Sequence, residues 1–163
     1  MPATPLNQAT RYSALSGLQI VYVPTVADVN NPLRSEINAG TDLTGEVMEW
    51  EGFTTTSETI ETPDLTSFVA KIPGRVTAED SSLTVYADAD EDDVRDILPR
   101  GTRGFLLWMD QGDTPGKKMD VYPIEVTSLT KVRSMEDATV LRVDVSMTQV
   151  PVNDVEIPAE TSN

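Results

Sequence analysis

Cysteine and histidine are both absent from this chain of 163 residues. Without cysteine, neither a disulfide framework nor thiolate chemistry is possible. Without histidine, the chain lacks the side chain that most often serves as general base or metal ligand near neutral pH. Ser-His-Asp catalysis and histidine-based zinc sites are therefore excluded. Catalysis by paired carboxylates or by a lysine with a shifted pKa stays open but is disfavoured, and we expect no cofactor and no metal.

Basic side chains are scarce as well, since 12 Lys and Arg stand against 27 Asp and Glu, giving a formal net charge of -15. A surface this acidic repels nucleic-acid phosphates and anionic membranes, and its simplest role is solubility. No apolar run approaches the ~20 residues that span a bilayer, and the first residues carry no signal-peptide pattern. We expect one domain, made in the cytoplasm and not bound to membranes.

Alternation of apolar and polar residues predicts a mainly β protein. The clearest run is 139–150, where four apolar residues from Leu141 to Met147 alternate with polar ones, as in a half-buried strand. The run 103–109 is apolar on both faces, which predicts a central strand covered on both sides. Further strand-like runs lie at 18–23, 46–53, 82–87 and 121–129.

Three other segments lack this pattern. Residues 25–45 are polar and rich in turn formers. The Thr-rich stretch after Phe53 predicts an extended loop or an exposed hairpin. The tail, 151–163, begins with proline and ends polar, so we expect an arm that leaves the domain.

One short flanking α-helix is predicted at about residues 91–98. A cluster of aspartates precedes it, and carboxylates at a helix start accept from free backbone N–H groups, with Asp88 or Asp90 as the cap. A proline and a glycine end the run by residue 101. The apolar stripe that packs this helix falls at positions i, i+3 and i+4 and consists of Val94, Ile97 and Leu98.

Two motifs resemble ligand sites and fail on spacing. Asp88, Asp90 and Asp92 copy the first three ligands of an EF-hand loop, but its glycine position holds Asp93 and its final glutamate position holds Pro99. A capped helix start is the better interpretation. The run GDTPGKK at 112–118 resembles a phosphate-binding loop but is one residue short and is followed by a strand pattern, so we expect a hairpin turn.

The order of segments resembles the major tail (tail tube) proteins of long-tailed, siphovirus-type phages, particularly those that infect actinobacteria. No single motif carries the resemblance, which covers roughly residues 18–150. It rests on an ordered series of segments: EINAGTDLTGEV at 36–47, EGFTTTSETIETPDL at 51–65, FVAKIPG at 68–74, SSLTVYADAD at 81–90, GTRGFLLW at 101–108 and DVYPIEV at 120–126.

The resemblance implies a β-sandwich or partly open barrel with a flanking helix, in a domain spanning 18–150 between an N-terminal arm, 1–17, and a C-terminal arm, 151–163. It implies hexameric rings that stack into a tube in the virion tail, built around a tape-measure protein between tail terminator and distal tail proteins. Double-stranded DNA would pass through without specific binding. The segment 54–64 would be the loop between rings, with contacts from Thr54, Thr55, Glu58, Ile60 and Asp64.

A tube wall also needs a channel face, which we expect on the polar side of the strands at 121–129 and 139–150. The residues expected to line the channel are Glu125, Arg142, Asp144 and Ser146. The alternative is that these side chains face the outer solvent.

A competing hypothesis from another class is a free β-sandwich module of a virion that binds a receptor or carbohydrate. Sugar sites usually expose several aromatic rings, whereas aromatic residues make up 6% of this chain. Trp50 and Trp108 lie in strand-like runs and are expected in the core. A carboxylate enzyme ranks third. The sequence leaves open the host, the tail length and whether the tail contracts.

Overall fold

The computed structural model describes residues 2–160, and it is mainly β, as predicted. A single 3-10 turn, Ala14–Ser16, precedes the first strand, and one short helix, α1, spans Arg34–Asn38. The ten strands are β1 (Gln19–Val23), β2 (Thr41–Asp42), β3 (Val47–Glu51), β4 (Thr55–Thr62), β5 (Ala70–Ala78), β6 (Ser81–Tyr86), β7 (Arg103–Met109), β8 (Lys118–Val132), β9 (Val140–Met147) and β10 (Val152–Glu156).

Eight strands form one antiparallel sheet in the order β2-β1-β7-β8-β9-β6-β3, with β10 paired to β8 beyond the end of β9. The sheet curls, because strands from both ends of this order share one core. Trp50 of β3 packs edge-on against Trp108 of β7, with ring centroids 5.3 Å apart. The edge strands β2 and β3 pair only on their inner sides, so the barrel is partly open.

The same sheet has a second core on its outer side at one end. Val21 of β1, Leu107 of β7 and Val121 of β8 point away from the barrel interior and are buried. Ile37 of α1 covers them, together with Ile157 near the C-terminus. Strand β7 is therefore covered on both faces, and the prediction of a central strand at 103–109 is confirmed.

The predicted helix at 91–98 is wrong, because this segment forms successive turns. Only the N–H of Leu98 reaches back four residues, to the carbonyl of Val94 at 2.7 Å. The carboxylate of Asp93 accepts the backbone N–H groups of Asp88 and Arg95, so a side chain takes part in turns where a helix would need backbone partners. The apolar stripe still packs inward: Val94 and Leu98 are buried in the first core and Ile97 lies against it.

The regular helix occurs instead at α1, in the segment that the sequence assigned to turn formers. Glu36 caps its start, since its two carboxylate oxygens accept the N–H groups of Ala27 at 2.9 Å and Leu33 at 2.8 Å. At five residues, α1 forms through these contacts and the burial of Ile37, because such a short helix is unstable alone. No helix within residues 2–160 is long and apolar enough to cross a membrane.

The tail after Val150 returns to the domain, so its assignment as a departing arm needs correction. Strand β10 pairs with the first part of β8, and the backbone of Ile157 exchanges hydrogen bonds with Gly116 at 3.0 Å and Lys117 at 2.8 Å. Val155 and Ile157 are buried in the second core. The apolar positions in this polar tail are what return it, and removing 151–163 would uncover that core. Residues 161–163 lie outside the described part.

Replacing Ile157 with alanine tests this correction. Loss of a fully buried isoleucine leaves a cavity, so Ile157→Ala should lower the free energy of unfolding by about 2–4 kcal/mol. The neighbouring exposed position provides the control, and Glu156→Ala should change it by less than about 0.5 kcal/mol. Urea titrations would measure both variants. Equal stability of the two would mean that the tail is a free arm after all.

Candidate assembly surfaces

Strands β4 and β5 form a hairpin that pairs with no other strand among residues 2–160. Every residue of the two strands is exposed except Gly74, which is half-buried. Ile60 and Ile72 lie directly opposite each other on one face and are 53% and 50% exposed. A two-stranded hairpin is marginally stable at best in water. The hairpin thus presents an uncovered apolar pair on a projecting element, which agrees with the sequence interpretation of an exposed hairpin at this place.

The residues expected to form the loop between rings lie along this hairpin. Thr55, Glu58 and Ile60 are in β4, and Thr54 stands at its root, where its carbonyl accepts the N–H of Glu79 at 3.0 Å. Asp64 lies beyond β4 and accepts both the hydroxyl of Thr66 at 2.6 Å and its N–H at 2.8 Å. These bonds from Thr66 lower the pKa of Asp64 and order the turn at the hairpin tip.

The four residues expected to line a channel fall on one surface, the polar face, formed by the outer side of β8, β9, β6 and β3. Glu125 lies opposite Ser146 in the register of β8 and β9. Arg142 and Asp144 follow on β9, opposite Thr84 and Ser82 of β6. The polar face also carries Ser128, Thr130, Glu49 and Glu51. The sequence pattern therefore placed these side chains on the same side of the sheet.

Charges on the polar face are paired within the subunit. The Nε of Arg142 donates to Oδ1 of Asp144 at 3.0 Å, and Ser128 donates its hydroxyl to Oδ2 at 2.6 Å. The Ser128 hydroxyl, followed by Arg142, holds the pKa of Asp144 below its usual value. At the edge of the face, the Nε of Arg103 donates to Glu125 at 3.1 Å. Acidic residues still outnumber basic ones on this face.

Arg34 forms a buried ion pair that the sequence interpretation missed. Its guanidinium donates to both carboxylate oxygens of Asp113, at 2.7 and 2.8 Å, and to Glu160 at 2.5 Å. The arginine side chain is 5% exposed, and the bidentate bonds to Asp113 raise its pKa. This pair fastens α1, the β7–β8 turn and the C-terminal segment together. No local sequence pattern predicts this contact, because Asp113 and Glu160 lie 79 and 126 residues after Arg34.

Asp113 belongs to the run that resembled a phosphate-binding loop. The run is a hairpin turn between β7 and β8, as expected, with positive φ at Gly112 and Gly116. Strand β8 begins at Lys118, where a phosphate-binding loop would need a helix. The carboxylate of the turn holds Arg34, which gives the motif a structural role.

The aspartate cluster at 88–93 forms turns that are stabilised by the side chain of Asp93. This carboxylate accepts the backbone N–H groups of Asp88 and Arg95 and two bonds from the Arg95 guanidinium, the shorter at 2.7 Å. The side chain of Asp93 is 6% exposed, and the Arg95 hydrogen bonds hold its pKa well below the usual range. Asp88 and Asp90 were expected to cap a helix, but no helix forms at 91–98 for them to cap. Within the described residues, no group of three or more acidic side chains is arranged to hold a metal ion.

Several solved structures share the fold of this chain. The chain is similar to one in the sheath–tube complex of the extracellular contractile injection system PVC in its extended state (14% identity, TM-score 0.61, 86% of this chain and 90% of that one). It is similar to the SPP1 tail tube (14%, 0.56, 87% and 78%) and to a chain of the native gene transfer agent virion (13%, 0.55, 88% and 98%). At these identities the likeness shows the fold alone.

A family model described as phage tail tube protein matches residues 7–160, and the chain belongs to that family. It is a structural protein of the phage virion tail and not an enzyme. The resemblance to phage tail tube proteins is confirmed, and the free receptor- or carbohydrate-binding module is not favoured. No curated protein matches the chain by sequence.

Replacing Asp93 with asparagine should destabilise the protein near neutral pH by about 1–3 kcal/mol, because charged hydrogen bonds to a buried group are lost. Asp92 is the matched control, being exposed and one position away. A depressed folded-state pKa gives stability that is complete above the unfolded value of 3.8 and lost as pH falls below it. The difference in unfolding free energy between Asp93→Asn and the parent should therefore become smaller below about pH 4. Thermal unfolding from pH 7 to 3 would measure this difference. A difference that stays constant over this range would contradict the role of Asp93.

Proposed function

We propose that six copies of the chain close into a ring and that rings stack to form the tube of a long, non-contractile phage tail. The tube forms around a tape-measure protein, ends at tail terminator and distal tail proteins, and conducts double-stranded DNA during genome ejection. Family membership and the shared fold support this proposal, and the residues below give it a physical basis.

The observation that carries the proposal is the projecting hairpin. A lone hairpin does not stabilise the monomer. Ordering its backbone costs about 1–2 kcal/mol per residue, and the hairpin buries little apolar surface to offset that cost. The surface of a second copy can offset that cost. We therefore assign the face of the segment 54–64 that carries Ile60, opposite Ile72, to the contact between successive rings.

The open edges of the sheet supply the contact within a ring. Strand β2 has two residues and β3 has five, and each leaves one side without a strand partner in the described chain. Edge pairing between neighbouring copies satisfies those backbone groups and joins six sheets into one wall. The N-terminal residues 2–13 are exposed and irregular, and they act as an arm that reaches the next subunit.

The polar face lines the channel in this assembly. Repeated in each subunit, Glu125 and Asp144 place carboxylates along the path of the DNA, while Arg142 is neutralised locally by Asp144. Like charge reduces binding of phosphates at every step, so the DNA slides without a specific hold.

A charge on the apolar side of the hairpin should prevent stacking. Ile60→Lys should leave a folded monomer, since the position is exposed, and abolish tubes by burying an unpaired ammonium between rings. Thr59→Lys is the control, because it adds the same charge one residue away on the opposite face. Electron microscopy and sedimentation would score tube formation. Full-length tubes from Ile60→Lys would contradict the assignment of this contact.

Reversing one channel charge should slow DNA passage. Particles with Glu125→Lys should assemble, yet eject DNA more slowly at low salt and recover at high salt, because lysine–phosphate contacts weaken as counterions compete. Glu156→Lys carries the same change on β10, outside the polar face, and should eject normally. Ejection would be followed by dye release at several salt concentrations. Identical kinetics of the two variants would place Glu125 away from the channel.

A further inference from the structure

The root of the hairpin is a built corner, formed by Gly52 and Phe53 where β3 ends and by Glu79, Asp80 and Ser81 where β5 passes into β6. Here the chain leaves the main sheet and returns to it within a few ångströms. Strands β4 and β5 lie in a separate two-stranded sheet, so this corner sets their direction relative to the main sheet.

The backbone at the corner adopts conformations that its residues do not favour. Gly52 has φ of 81°, and a Cβ there would lie 2.5 Å from the carbonyl oxygen of Asp80, so only glycine fits. Phe53 has φ of 58°, a strained conformation that is uncommon for a bulky side chain. Such a conformation persists only where the surrounding structure enforces it.

Two sets of contacts enforce it. The Phe53 ring is 7% exposed and packs 4.8 Å from the Trp108 ring and 5.5 Å from that of Tyr122, inside the first core. The N–H of Phe53 donates to the Ser81 hydroxyl at 2.9 Å, and that hydroxyl donates to the carbonyl of Glu79 at 3.0 Å. One buried hydroxyl thus links the outgoing and the returning strands.

We propose that this corner presets the direction of the hairpin in the free subunit, so that Gly52, Phe53 and Ser81 are positioning residues for ring stacking. The inference rests on the proposed function, in which the hairpin meets the next ring. A hairpin held at a fixed angle loses less orientational freedom on assembly than a hinged one. The spacing and rotation between rings are then properties built into each subunit.

The chain offers a closely matched pair of variants. Ser81→Ala removes the linking hydroxyl. Ser82→Ala makes the same change one position along β6, and both serines are 4% exposed. A second pair is Gly52→Ala with Gly101→Ala as control, because both glycines have positive φ while a Cβ on Gly101 meets nothing within 4 Å.

Hairpin direction can be measured in the monomer by distances between two spin labels. The chain has no cysteine, so Ser67→Cys at the hairpin tip and Lys118→Cys at the start of β8 label it uniquely. We expect a narrow distribution for the parent and Ser82→Ala, and one broadened about twofold for Ser81→Ala and Gly52→Ala relative to their controls, because the corner then opens locally. In cryo-electron microscopy, tubes of Ser81→Ala should be short or vary in rise and twist.

Each outcome decides one point. An unchanged distribution in both corner variants would overturn the corner as the determinant of direction. A broadened distribution with tubes of parental length, rise and twist would overturn its role in stacking. Failure of the parent to form tubes when it is produced together with the tape-measure protein, with a narrow distribution in the monomer, would contradict the proposed function while leaving the preset direction intact.

Discussion

The rest of the structure depends on burial of both faces of β7 and of the first half of β8. One face of these strands lies in the barrel interior and the other in the second core. A sheet with two apolar faces needs two covers. The curl of the sheet, closed by Trp50 against Trp108, supplies the inner cover. Helix α1 and the C-terminal segment supply the outer cover, and this explains why the polar tail contains the buried Ile157.

The other half of the sheet needs only one cover. Strands β9 and β6 bury their inner faces, whereas the edge strand β3 leaves Trp50 40% exposed. All three turn polar side chains outward, so the polar face begins where the second core stops. A single curved sheet thereby separates a self-contained half from a half that presents charged and hydroxyl groups. In the proposed tube, this division would let one small domain both form the wall and present the polar face to the channel.

The period-2 signal was sufficient to predict the strands β1, β3, β6, β7, β8 and β9 and the side of the sheet on which four polar residues lie, because alternation is a local property of the chain; these residues are Glu125, Arg142, Asp144 and Ser146. The i, i+3, i+4 spacing at 91–98 identified the residues that pack into the first core, but no helix forms there because Asp93 accepts backbone N–H groups in turns. The tail was not predicted as a strand, because two buried residues among polar ones carry too little pattern. Neither the Arg34 ion pair nor the corner at Phe53 could be predicted from the sequence. Each joins segments that are distant in sequence and depends on how those segments meet in three dimensions.

Fastening of the C-terminal segment by Arg34 has a consequence for synthesis. Glu160 pairs with a residue 126 positions earlier, and β10 and Ile157 are synthesised after all the other strands of the sheet. Until they emerge, the second core is open and the subunit is incomplete, since long-range contacts of this kind form only when both partners are present. A chain whose synthesis has stopped before β10 therefore lacks part of the outer cover of β7 and β8. The order of translation thus makes the second core the last part of the fold to be completed.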